Sequence, residues 1–366
     1  MDNGLLKVAI YPYDYEMQPY LQYSSMLRNV KLEILLTPNG WISENMQLYG
    51  YKVQTVLLDN DYQLVDAVWI TDSVNNLEDK QIYEIAEEFL KHNKQILLSR
   101  HIKKETHSNL VQLVNKYSGE LIDLLQSEQN IDFNEIPAKL YDIYTPVISV
   151  AGIGERTDKF LLQLAVKDYL ERQGYHVILV SSRDNSMYLD NVYALPIFMN
   201  GIMPSEYKII LYNNFVKKIE EEEKPEVIIN GIPGEIMPIS KVQPGHFGIH
   251  AFQILNAVNP DFLIMGLYGN VISDKYVKEL KQIMKYKFVA NIDCFYLSNC
   301  AQDVFTVNRS RPIEYFFITE EDKKHLRENL KIEVEHKEKI YIDTEIEMLG
   351  QYIIDCLHEN FETEVL

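Results

Sequence analysis

The chain has 366 residues, 46% hydrophobic and 11% aromatic, which excludes a disordered chain and, at about 150 residues per domain, predicts two packed cores. Its 35 Lys and Arg against 54 Asp and Glu give a formal charge of −19, which repels nucleic-acid phosphates and anionic membrane surfaces. No basic patch offsets this charge, because the lysine-dense stretches 278–287 and 323–339 are interleaved with acidic or apolar residues, so neither nucleic acid nor membrane is expected as a partner.

Cys294, Cys300 and Cys356 are an odd set in a long chain, which argues against a disulfide framework and for a reducing, cytoplasmic setting. Residues 1–7 carry no secretory-signal pattern. The longest apolar run, residues 262–272, is broken by glycines and falls short of the roughly 18 residues of a membrane span.

In chain order, residues 6–11 (LKVAIY) predict a strand that ends in the turn Pro12-Tyr13-Asp14, and 19–27 predict a helix. Strands follow at 32–36, 53–58 and 67–71, then a helix over 77–92 with Ile82, Ile85, Ala86, Phe89 and Leu90 on one face. A fifth strand at 95–99 and a helix at 106–117 complete a Rossmann-like or flavodoxin-like layer domain over residues 1–125. Periodicity fades over 126–146, which is polar and proline-bearing and reads as a linker. From 147 to 366 the alternation restarts, with strands at 147–150, 175–181, 226–229, 262–265 and 288–292. Helices are predicted at 159–173, 205–222, 247–258 and 273–284, two short strands at 315–318 and 339–342, and a closing helix at 345–358. The fold class is therefore α/β, with two three-layer α/β/α domains and mostly parallel sheets.

The densest chemistry lies at Val147-Ile-Ser-Val-Ala-Gly152-Ile-Gly154-Glu-Arg-Thr-Asp-Lys-Phe160, where a strand runs through a glycine turn into a helix. Backbone N–H groups and the helix dipole collect anions at such a place. A P-loop requires glycine before the lysine and Ser or Thr after it, and here those positions hold Asp158 and Phe160. The expected anion or nucleotide site comprises Gly152, Gly154, Arg156, Thr157 and Lys159, joined by Ser182 and Arg183 after the next strand. Asp158 is expected to bring a carboxylate to where phosphates would sit, which disfavours Mg-ATP hydrolysis. The alternative is that Thr157 or Asp158 caps the helix and the glycines only permit a tight turn.

A second glycine loop, Gly231-Ile-Pro-Gly234-Glu235, also follows a strand, so Glu235 is a candidate acid, base or metal ligand, or else a solvated loop carboxylate. His246 and His250, four apart, would share a face if helical, but Gly245 and Gly248 suggest that the helix only starts there; His246 is the other catalytic candidate. A zinc site there lacks a third nearby ligand unless Cys294 or Cys300 arrives through the fold, and no metal is expected. Cys294 and Cys300 fit neither a redox nor a zinc-knuckle spacing. Tyr11-Pro-Tyr-Asp-Tyr15 reads as packing or a peptide-contact surface.

At Ile10-Tyr-Pro-Tyr-Asp14, Pro38-Asn-Gly-Trp41, Thr145-Pro-Val-Ile148, Gly152 to Phe160, Ser182-Arg183 and Gly231-Ile-Pro-Gly-Glu235 the sequence resembles, over nearly its whole length, the peptide maturation system proteins. These are encoded beside radical SAM peptide maturases in clostridial clusters for ribosomally made peptide natural products. The resemblance implies a role in peptide maturation, with a precursor peptide or the maturase as partner, and no defined reaction. The second domain also looks like a degenerate dethiobiotin-synthetase-type P-loop fold, in which Lys159 stands at the spacing of that loop's lysine. Two functions follow as expectations: an accessory protein that binds precursor peptide or maturase in a cleft between loops, or a nucleotide-dependent ligase or transferase with a variant phosphate loop at 152–160.

Overall fold

The structure is a computed structural model that describes residues 4–42, 47–73, 75–125, 139–186, 188–269, 273–303, 305–309, 313–333 and 339–364. It divides into two compact units, residues 1–127 with 184–192 and residues 128–183 with 193–366. Most of the expected linker, residues 126–138, lies outside the described residues.

The first unit contains β1 (Leu6–Tyr11), α1 (Gln18–Gln22), β2 (Val30–Leu36), β3 (Gln47–Leu48), β4 (Tyr51–Gln54), β5 (Ala67–Ile70), α2 (Asp79–Lys91), β6 (Gln95–Leu98), α3 (Lys104–Lys116) and β7 (Leu121–Asp123). The strands lie in the order β3-β4-β2-β1-β5-β6-β7, all parallel except the β3–β4 pair. With β3 set aside, the order from β4 to β7 is that of a Rossmann sheet, whose direction reverses between β1 and β5. The alternating faces of β1, β5 and β6 bury Ala9, Val68, Ile70, Ile96 and Leu98 against Ile82, Ala86, Phe89 and Leu110 of α2 and α3. These residues stand at alternate positions and so share one face of the sheet, whose burial against α2 and α3 stabilises the unit. The predicted helix at 19–27 is shorter, because after α1 the chain turns through a 3₁₀ segment, Ser24–Met26, into β2.

The second unit contains β8 (Val147–Gly152), α4 (Lys159–Arg172), β9 (Val177–Val180), β10 (Val192–Tyr193), α5 (Ser205–Glu223), β11 (Val227–Gly231), α6 (Ile249–Ala257), β12 (Phe262–Leu267), α7 (Asp274–Lys287), β13 (Cys294–Leu297), β14 (Cys300–Gln302), β15 (Tyr315–Phe317), α8 (Glu320–Glu333), β16 (Ile340–Tyr341) and α9 (Ile346–Glu364). The order is β10-β9-β11-β8-β12-β13-β16, with every pairing from β9 to β16 parallel. Every residue of β8 and β12 is buried, as central strands covered on both faces must be. β14 and β15 form a separate antiparallel ribbon. Residues 141–145 are laid along α5: Asn213 Oδ1 accepts from Tyr141 N at 2.7 Å, and Glu220 Oε1 accepts from Tyr144 N and Thr145 N at 2.6 and 2.7 Å.

The expected strand at 288–292 is instead the exit from α7. Phe288 caps that helix, Val289 takes a left-handed φ of 55°, and Ala290 N returns to Met284 O, so the strand starts only at Cys294. The sequence reading also lacked α8, whose first turn is closed by Thr319 and Asp322: Asp322 N donates to Thr319 Oγ1 at 3.1 Å, and Thr319 Oγ1 donates to Asp322 Oδ2 at 2.6 Å. The fold is thus mixed α/β, with two mostly parallel seven-stranded sheets flanked by helices, the first Rossmann-like and the second P-loop-like. Among the described residues no helix is long and apolar enough to cross a membrane.

Candidate functional site

In the second sheet the chain leaves β8 through α4 towards β9 on one side and later reaches β12 on the other, so the direction reverses at β8. Ligands of open α/β sheets bind outside strand carboxyl ends at such reversals. The loop after β8 folds back over its own strand. A Cβ on Gly152 would overlap the Thr157 hydroxyl and stand 2.9 Å from Lys159 Cδ, so only glycine fits. Thr157 is buried, and its hydroxyl donates to Gly154 O at 3.1 Å.

Asp158 occupies the P-loop glycine position with glycine-like backbone, φ 53° and ψ 21°. Its buried carboxylate accepts from Asn299 N, in the turn between β13 and β14, at 2.6 Å. The expectation that this carboxylate stands in the phosphate position is therefore corrected. In the left-handed conformation the short side chain swings to the β13–β14 turn, where a backbone donor satisfies it. Neither the Thr157 hydroxyl nor the Asp158 carboxylate accepts a capping bond from the first N–H groups of α4, so the side-chain capping alternative is not what the loop does.

Lys159 opens α4 and is 6% exposed. Among the described residues its ammonium donates to Gly234 O and otherwise meets only Glu155 Oε2, at 3.8 Å, on a side chain 61% exposed. An ammonium has three donors, and burial without full pairing is costly. Lys159 thus joins the β8–α4 loop to the loop after β11.

A third loop, after β9, reaches the same helix. Gln163, one turn beyond Lys159 and fully buried, accepts from Ser182 N at 3.2 Å and donates Nε2–H to Ser182 Oγ at 3.0 Å. The Arg183 guanidinium lies 4.5 Å over the ring of Phe160, within cation–π range. The Arg156 guanidinium lies 4.6 Å over the ring of Tyr315, and Tyr268 donates its hydroxyl to Glu155 O. The structure therefore gathers Gly152, Gly154, Arg156, Thr157, Lys159, Ser182 and Arg183 around one helix end. Sequence reasoning passed over Gln163, Tyr268 and Asn299, though the i, i+4 spacing of Lys159 and Gln163 signals a shared face. A cavity of about 310 Å³ opens beside the loop, lined by Ile153, Met237, Ile239, Tyr268, Tyr276 and Gln302.

Glu235 is no solvated loop carboxylate: it is 5% exposed, and its Oε1 accepts from His246 N. The two catalytic candidates do meet, but through the backbone of His246 and not its ring. The carboxylate holds a turn in which Gly245, Phe247 and Gly248 all have positive φ. α6 starts at Ile249, two residues after the expected start at 247, so His246 precedes the helix and only His250 lies on it. The two rings are nearly parallel, 5.7 Å apart, and the His250 imidazole is held below its ordinary pKa by burial and then by the neighbouring His246. Among the described residues no three His, Cys, Asp or Glu side chains gather as for a metal ion. Burial pushes the Cys294 thiol well above its ordinary pKa, which opposes a nucleophilic role.

At the reversal point of the first sheet β1 ends in Tyr11-Pro12-Tyr13-Asp14, without the glycines of a dinucleotide-binding turn, and α1 is five residues long. Burial raises the Tyr11 hydroxyl pKa to about 12 and that of Tyr13 further. These phenols are packed neutral groups.

No family model matches the chain, and no curated protein matches it. Among solved structures it is similar to a DUF1611 family protein from Anabaena variabilis ATCC 29413, with a TM-score of 0.62 at 8% identity, covering 97% of this chain and 99% of that one. That likeness is one of fold. Cobyrinic acid a,c-diamide synthase from Mycobacterium smegmatis with bound ADP and magnesium matches over 42% of this chain and 74% of that one, at 12% identity and a TM-score of 0.30, too low to carry an argument.

Proposed function

We propose that the protein is an accessory factor in the maturation of a ribosomally synthesised peptide, and that its second unit binds a phosphate-bearing ligand, such as a nucleotide, at the loop 152–159. The observation that carries the anion site is Lys159, a buried ammonium that opens a helix and, among the described residues, has one hydrogen bond and one loose, exposed carboxylate neighbour. An anion at this place gains the unsatisfied ammonium donors together with the first backbone N–H groups of α4. The peptide context rests on the motif resemblance, with the precursor peptide or the radical SAM maturase as partner. Three free cysteines fit a cytoplasmic setting.

Phe160 leaves the loop without the hydroxyl that positions magnesium in P-loop hydrolases, which favours ligand binding over rapid turnover. A nucleotide-dependent ligase or transferase is the second reading. What favours it is that the Asp158 carboxylate, though charged, is held by Asn299 N at the β13–β14 turn.

Titration with ATP and GTP tests the site: we expect saturable binding by the native chain that is lost in Lys159→Met, and absence of binding to the native chain refutes it. Co-purification with a tagged precursor peptide or maturase from the same gene cluster tests the context. Failure to retain either, with nucleotide turnover observed instead, would select the ligase reading.

A further inference from the structure

We infer that the loop 152–159 binds its phosphate ligand without a divalent cation, the Arg183 guanidinium standing in for the metal. The inference rests on the anion-site reading above and concerns how that site balances charge. A P-loop holds magnesium with a Ser or Thr hydroxyl one residue past the lysine and an acidic side chain on a neighbouring strand. Here the first position is Phe160, a buried ring with no oxygen donor. The adjacent parallel strand β11 ends in Asn230 and Gly231. Asn230 Oδ1 accepts from the buried Tyr212 hydroxyl at 2.5 Å and so faces α5. Glu235, the nearest acid beyond β11, is engaged by His246 N. Among the described residues, neither the position after the lysine nor the end of β11 therefore turns an oxygen donor for magnesium to the loop.

What Phe160 carries instead is a cation. Arg183 lies 4.5 Å over its ring, and its neighbour Ser182 is pinned to Gln163, on the same helix, by two hydrogen bonds. Lys159 and Phe160 are the first two residues of α4, so the ammonium and the residue that carries the guanidinium both belong to its first turn. A guanidinium offers a planar fork of donors to phosphate oxygens, cannot lose its proton, and sheds water more readily than an ammonium. Stacking on an aromatic face pre-orients it, which reduces the entropy lost on binding. A half-buried Arg on a buried ring is thus a positive charge held at the first turn of α4, the helix end to which the phosphate ligand is assigned.

The experiment is calorimetric titration of the intact chain with ATP and, separately, inorganic pyrophosphate, each in excess EDTA and in excess magnesium. We expect affinity in EDTA to equal or exceed that in magnesium. Arg183→Ala should weaken binding in EDTA about tenfold or more, and Arg183→Lys should fall between, because charge is kept and the stacked fork is lost. Arg183 is half-buried at the surface, so both variants should keep the native melting temperature, which is measured alongside. Binding seen only with magnesium overturns the inference and leaves the Lys159 site standing. EDTA-insensitive binding that Arg183→Ala does not weaken overturns the role of Arg183. Absence of binding under both conditions overturns the inference together with the reading beneath it.

Discussion

Lys159 and Gly231 show how closely the three loops are fitted at the level of single residues. An ammonium at 6% exposure that is tied to one carbonyl is tolerated only if something else offsets its desolvation, and the helix N-terminus opposes it further, since a positive end of α4 meets a positive side chain. Lys159→Met, which fills the same space without charge, is therefore expected to leave the fold stable or slightly stabilised in denaturant titration while removing anion binding. Strong destabilisation would mean that the lysine is structural. Gly231 lies where a Cβ would stand 2.5 Å from Ser182 N and overlap Gln163 Oε1. Gly231→Ala must break the Gln163–Ser182 bonds or shift β11, so we expect a loss of about 1–3 kcal/mol, read from the denaturation midpoint. An unchanged midpoint would show that the loop after β9 is not held as described.

Among the elements, α4 is the hub. It is buried along most of its length, and α9 crosses it where Gly350 meets the ring of the buried Tyr169. Gly350→Ala gains about 1 kcal/mol of helix propensity but drives a methyl into that ring, a clash of about 1–3 kcal/mol. We expect net destabilisation by chemical denaturation, and net stabilisation would contradict the packing. In the first unit Asp184, in the stretch 184–192, accepts from or pairs with His101 Nε2 at 2.8 Å. This hydrogen bond, opposed by partial burial and aided by the charge of Asp184, raises the His101 pKa above its ordinary 6.5. The charged pairing is complete below pH 6.5 and is lost as pH rises through the raised value. Asp184→Asn should bring the His101 titration, followed by NMR, back down towards 6.5, and an unmoved titration would contradict the pairing.

Much of this architecture was legible. β1, β5, β6, β8 and α4 start where apolar runs and turn residues place them, because buried parallel strands carry continuous Val, Ile and Leu. Less legible were features set by non-local contacts. Val289 turns the chain at φ 55°, which no local pattern announces, and Asp158 is governed by a backbone donor 141 residues away. That 184–192 packs with the first unit is likewise fixed by contacts such as Arg28 N to Tyr188 O, and not by its own sequence. At the site, the glycines and Lys159 were visible as motif residues, while Gln163 and the Arg183–Phe160 stack appear only once β9 and α4 are neighbours.

For the whole molecule, the charge of −19 sets a long-range field opposed to the ligand that the loop attracts at short range. Far from the site the net negative field dominates, and within a few ångströms Lys159 and Arg183 do. Raising salt from about 0.01 M to about 0.15 M shortens the Debye length from about 30 Å to about 8 Å and screens the distant charges first. We therefore expect the association rate constant for ATP, measured by stopped flow, to rise over that range. A falling rate would mean that a positive face steers the ligand. The account stands most directly on equilibrium binding of ATP to the native chain and to Lys159→Met in excess EDTA, with matched circular dichroism spectra. It predicts one saturable site in the native chain and at least about 30-fold weaker binding in the variant; no binding by the native chain, or equal affinity in the two, would contradict it.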